Sequence, residues 1–163
     1  MNILLFATGI ALIALATYDA LKTTISFSGG GPLTLPLATG IWSFALGIHR
    51  AGRSDSRKLL KLAGPVILLT TVLLWISMVF AGYAMMFGSH CDSIISSTTR
   101  LPTDFAEKLY FTAYTLFTLD MGDFIPNGHG WQMATSIASL HGLSLSHSGA
   151  NAKVHRSDGS FRN

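Results

Sequence analysis

The chain has 163 residues, of which 49% are apolar and only 12% charged, with a formal net charge of +3. A soluble domain carries about 25% charged residues, so this length is enough for one domain but lacks the charge to cover a soluble surface, and a membrane protein is the leading class. The small, scattered positive charge does not suggest nucleic-acid binding, and the single cysteine, Cys91, rules out a disulfide within the chain.

The first 18 residues carry no charged side chain. A bilayer core needs roughly 20 apolar helical residues, which predicts a first transmembrane helix over 1–21. Asp19 and Lys22 then fall near the far interface, three apart on one helix face, where they can pair. The rival reading is a signal peptide cleaved near Ala14-Leu15-Ala16, but no basic residue precedes the apolar run. Residues 22–61 form a basic loop carrying Lys22, Arg50, Arg53, Arg57, Lys58 and Lys61 against Asp55 alone. The positive-inside rule places this loop in the cytoplasm and the N-terminus outside. Within it, Gly29–Gly31 reads as a flexible turn, because a phosphate loop would need a following Lys-Ser/Thr. Residues 36–48 are uncharged, with Leu37, Ile41, Phe44 and Ile48 at helical spacing, and fit a helix lying in the membrane interface.

Residues 62–89 contain no ionisable group and predict a second transmembrane helix. Trp75 lies well inside it, as a packing residue. Residues 90–130 form an outer loop, with Asp92, Asp104, Glu107, Asp120 and Asp123 against Arg100 and Lys108. His90-Cys91-Asp92 brings metal-ligating types together, but neighbours in sequence chelate one ion poorly, so a solvated loop is expected. Pro102-Thr103-Asp104 opens a short helix over about 104–117, with Asp104 and Glu107 spaced for a capping box. At about 20 Å it is too short to cross a bilayer. A short apolar helix, then Thr-x-x-x-Gly-Asp, then Pro126, predicts a re-entrant loop, which a membrane tolerates only where it is buried in protein or lines water.

Each part of that loop has a use in a cation pore. The helix C-terminus offers partial negative charge. The segment after it can point backbone carbonyls at an ion from Thr118, Leu119, Asp120 and Met121. Gly122 supplies backbone freedom, and Asp123 would form an acidic ring on the outer side. The stretch "LYFTAYTLFTLDMGDFIP" resembles the pore helix and filter of the potassium-channel pore-loop superfamily, whose typical filter is Thr-Val-Gly-Tyr-Gly-Asp. The small bacterial ion-channel-domain proteins are also similar in "YDALKTTIS…GGGPL" and in "GWQMATSIASLHGL". On that pattern Thr118, Leu119, Gly122 and Asp123 match the Thr, Val, second Gly and Asp, and Met121 stands at the aromatic. Asp120 replaces the first filter Gly. An Asp in left-handed backbone costs of order 1 kcal/mol, and four carboxyls around one ring would repel one another.

After the filter, residues 131–145 predict a partial inner helix of about 22 Å, with Gly142 as a candidate hinge. Residues 146–163 have the composition of a disordered tail. The fold expected is an all-α membrane protein with two transmembrane helices, a re-entrant pore helix with filter loop, and a partial inner helix. The resemblance implies a passive channel for potassium or another monovalent cation, working as a homotetramer in a bacterial inner membrane with its C-terminus cytoplasmic. It implies no cofactor, no metal beyond the transported cation and no small-molecule substrate. The alternative is a non-conducting remnant or modulatory subunit of such a channel. No hydrolase or metalloprotease motif points to an enzyme.

Overall fold

The computed structural model describes residues 2–25, 30–50, 56–119 and 121–157, and of residues 48–50, 56–61 and 146–157 it describes the backbone alone. Among the described residues the order is α1 (Ile3–Ile25), α2 (Thr34–Arg50), α3 (Ser56–Gly88), β1 (Ile94–Ser96), α4 (Phe105–Leu116), β2 (Phe124–Pro126) and α5 (His129–Ser157). Two helical stretches are long and apolar enough to cross a membrane, Ile3–Ile25 and Leu62–Gly88. Helices predominate because long apolar runs satisfy their own backbone hydrogen bonds.

Several boundaries differ from the sequence expectation. The first helix continues past 21 to Ile25, and α2 covers Thr34–Arg50 rather than 36–48. Helix α3 begins at Ser56, six residues before the apolar run, and holds Pro65 inside it. The partial helix 131–145 and the tail after it are replaced, as far as Ser157, by one helix of 29 residues. A helix needs only local backbone bonds to continue, and no proline interrupts 131–157. Residues 158–163 lie outside the described residues. The chain is also not purely helical: β1 and β2 pair antiparallel, with Ile95 opposite Ile125.

The chain divides into two compact units. One comprises residues 1–16 and 76–163. Within it, the start of α1 and the end of α3 approach backbone to backbone. A Cβ on Gly9 would lie 2.6 Å from the Gly82 carbonyl oxygen, and one on Gly82 would lie 2.6 Å from Ile13 Cγ1. Small residues permit such contacts between apolar helices. Asn2 N–H donates to the Ser89 carbonyl at 2.7 Å. Phe87, fully buried, is the centre of the core. It meets Phe111 edge-on with centroids 5.3 Å apart and Trp131 at 6.0 Å.

The other unit is residues 17–75. Its centre is Asp19, fully buried. Asp19 does not serve as the ion-pair partner expected for Lys22, whose Nζ lies 5.9 Å from the centre of the Tyr18 ring. Its carboxylate instead accepts from the backbone N–H of Leu33 (2.7 Å) and Thr34 (3.4 Å), from the Thr34 hydroxyl, and from Trp75 Nε1 (2.8 Å). The first turn of α2 has N–H groups without helical partners, and an anion satisfies them. Gly31 is part of the same arrangement. A Cβ there would collide with the Asp19 side chain, and its N–H donates to Thr23 Oγ1 at 2.8 Å. The glycine stretch is therefore tightly packed at Gly31, where sequence alone suggested a flexible turn; Gly29 lies outside the described residues.

Removing the Asp19 carboxylate strands buried donors, each of which costs about 1–3 kcal/mol when left unpaired. Asp19→Ala is expected to destabilise the protein by about 3 kcal/mol, and Asp19→Asn, which keeps one acceptor, by clearly less. Denaturant unfolding in detergent, followed by tryptophan fluorescence, measures both; equal losses would contradict this role.

Candidate functional site

Helix α4 is short and is terminated by specific hydrogen bonds at each end. At its N-terminus Asp104 Oδ1 accepts from the Glu107 N–H at 2.7 Å, and Glu107 Oε2 accepts from the Asp104 N–H at 2.8 Å. This is a reciprocal capping box, and it satisfies two otherwise unpaired donors. At the C-terminus Thr118 N–H donates to the Thr115 carbonyl (3.2 Å) and Leu119 N–H to the Tyr114 carbonyl (2.9 Å). That pair of bonds is a Schellman motif, whose crossing residue adopts left-handed backbone. Thr118 does so, with φ 55°. Glycine is the usual occupant, and a β-branched residue there is a strained outlier. The Thr118 hydroxyl donates to the Phe117 carbonyl at 2.7 Å.

The segment expected as a filter follows directly. Leu119 and Met121 are exposed, at 61% and 54%. Gly122 has φ 75°, a conformation that suits glycine. Asp120 lies outside the described residues. Asp123 is exposed, and its carbonyl accepts twice from Ser97, from N–H and from Oγ, both at 2.9 Å. Ser97 directly follows β1, so the antiparallel pairing of β1 with β2 holds the outer end of the segment. Tyr114 Oη donates to the Phe124 carbonyl at 2.8 Å.

Helix α5 supports the inner end. Ser139 Oγ lies 3.3 Å from the Thr115 carbonyl. Gly142, the candidate hinge, packs directly on the Leu116 carbonyl, and a Cβ there would overlap that oxygen. Tyr83 Oη and His141 Nδ1 are 2.7 Å apart, joining α3 to α5. A cavity of about 520 Å³ lies among α4, the segment, β2 and α5. Tyr114, Thr115, Thr118, Gly122, Thr135 and Ser139 contribute to its lining.

Lys108 is the charged group buried in α4. Its ammonium donates to the carbonyls of His90 (2.7 Å) and Cys91 (2.9 Å), tying α4 to the loop that leads into β1. Burial holds this ammonium below the ordinary lysine range, against the opposite influence of Cys91 and Asp92. His90 Nδ1 accepts from the Asp92 N–H at 3.1 Å, so two residues of the His-Cys-Asp triplet are bonded to each other.

The structure thus brings Asp104, Glu107, Thr118, Gly122, Asp123 and Gly142 into one neighbourhood around α4. Sequence reading missed Ser97, Lys108, Tyr114 and Ser139. Lys108 carried a usable signal, as the lone cation in an apolar helix, because a charge there must find partners. Ser97 and Tyr114 carried none, because their roles depend on a strand pairing of three residues.

No family model matches the chain, and no solved structure matches it. The chain is similar to the uncharacterized membrane protein YdjJ of Bacillus subtilis (strain 168), at 33% identity over 136 residues. That alignment covers 83% of this chain and 39% of the relative, so the chain spans about two fifths of the length of the curated relative it matches. The similarity to a membrane protein agrees with a mostly helical chain that holds two helices able to cross a bilayer.

Overpacking a tight contact costs roughly 1–3 kcal/mol, so Gly142→Ala is expected to lower the unfolding midpoint in detergent by that equivalent. An unchanged midpoint would mean that α5 does not press on Leu116. Asp104→Ala, which removes the cap, should cost about 1 kcal/mol in the same measurement.

Proposed function

We propose that this chain is the subunit of a passive cation channel of potassium-channel type, conducting through residues 118–123 of four identical copies. The observation that carries this reading is the shape of the α4 region. A 12-residue helix, capped at its start and turned at its end by Thr118, is followed by a short segment that β2 returns to the level of β1. Such a helix cannot cross a bilayer, and its backbone is tolerated there only inside protein or beside water. A single segment cannot surround an ion, so the pore requires a ring of subunits.

Uncovered apolar groups support the ring. Tyr110 and Phe117 on α4, and Met133, Ile137 and Leu140 on α5, are exposed in the single chain. The latter three recur at helical spacing, as an unpartnered face does. In this reading α1 and α3 cross a bacterial inner membrane, the N-terminus is outside, and the basic loop and the C-terminus are cytoplasmic. The transported ion is potassium or another monovalent cation, no cofactor takes part, and the lipid bilayer is the surrounding partner. The C-terminal end of α4 stabilises the entering cation through its partial negative charge.

Asp120 favours a second reading, a non-conducting or modulatory subunit, because four carboxyls in one ring repel one another and disturb the carbonyls. Flux from potassium-loaded liposomes separates the two. The channel reading expects flux from the natural chain with weak selectivity. Asp120→Gly should raise the potassium-over-sodium permeability ratio at least about tenfold, equivalent to about 1.4 kcal/mol. Flux from Asp120→Gly alone would favour the second reading. Flux from neither protein, or a monomer by cross-linking in lipid, would overturn the pore.

A further inference from the structure

Residues 119–124 are fastened at both ends to the same residue. Tyr114 accepts from the Leu119 N–H through its backbone carbonyl at 2.9 Å, and donates from its hydroxyl to the Phe124 carbonyl at 2.8 Å. We propose that Tyr114 is the positioning residue of the filter, setting the spacing between its inner and outer ends. This rests on the channel reading for what the segment does, and on geometry alone for what Tyr114 does.

Six fully extended residues would span about 20 Å. Held at both ends by one tyrosine, the segment is kept well short of that length, so its carbonyls cannot spread apart along the pore. The tyrosine is itself immobilised. Its backbone belongs to the last turn of α4, and its ring is buried. Tyr110 and Phe111 meet that ring edge-on, with centroids 5.3 and 5.2 Å away, an arrangement that aromatic quadrupoles favour. Rotation of the side chain would break both ring contacts and the hydroxyl bond together. Ser97 also grips the outer end, at the Asp123 carbonyl, but has no recorded bond to the inner end. Tyr114 is therefore the residue through which the rigid helix, rather than the loop, dictates where the carbonyls lie. Selectivity among cations of similar charge depends on that spacing and on its stiffness.

Tyr114→Phe removes the hydroxyl and keeps the ring in its aromatic setting. The test is hydrogen–deuterium exchange on the full chain in liposomes, comparing the natural protein, Tyr114→Phe and Ser97→Ala. For Tyr114→Phe, amides in 119–124 should exchange roughly two- to tenfold faster, the range of one net hydrogen bond, while peptides from α1 and α3 stay unchanged. Ser97→Ala should speed exchange near Asp123 and Phe124 and leave Leu119 protected. In flux measurements Tyr114→Phe should lower the potassium-over-sodium permeability ratio, which a purely structural role at this site would leave unmoved. Unchanged exchange in 119–124, or faster exchange spread equally through all helices, would overturn the proposal. If the natural chain conducts nothing, the channel reading fails, and the exchange result still decides whether Tyr114 positions the segment.

Discussion

A short helix in an apolar setting has unpaired N–H groups at one end and unpaired carbonyls at the other, and both must find partners. The arrangement around α4 follows from that constraint. Its N-terminal donors are met by the Asp104–Glu107 box, and its C-terminal carbonyls by the turn at Thr118 and by Ser139. Each solution also positions something else. The turn aims the chain into residues 118–123, and the Ser139 and Gly142 contacts seat α5 against the base of that segment. Lys108 obeys the same rule, since its buried ammonium takes two carbonyls of the loop before β1 and so fixes the strand that holds the outer end.

The unit formed by residues 17–75 meets the same constraint in another way. Helix α2 has no capping side chain of its own that reaches all of its first N–H groups, and a carboxylate from α1 takes that place. Asp19 is tolerated inside an apolar helix because its oxygens receive four donors. A buried charge without such partners would be strongly unfavourable. Gly31, Thr34 and Trp75 form the surroundings this carboxylate requires. They come from three places in the chain, all brought together by one anion.

Much of this was legible in the sequence, and the limits have physical causes. The two long apolar runs and the capping spacing of Asp104 and Glu107 are local patterns, and helices follow local patterns. Helix ends were less legible. Composition suggested that α5 would stop near Leu145, yet backbone bonding carries the helix to Ser157. The small sheet escaped notice because three-residue strands leave no periodic signal. Asp19 was assigned to Lys22 by proximity on one helix face, whereas the stronger demand came from the unpaired N–H groups of α2, which are distant in sequence. Tyr114 read as one aromatic among several until the position of Phe124 was known.

The central claim, that residues 118–123 of four copies enclose a cation path, is tested most directly by cryo-electron microscopy of the full chain in lipid discs with potassium present. The expected result is four subunits about one axis, with the carbonyls between Thr118 and Gly122 facing that axis and ion density between them. A monomer, or an assembly in which α4 and residues 118–123 lie away from every symmetry axis, would contradict it.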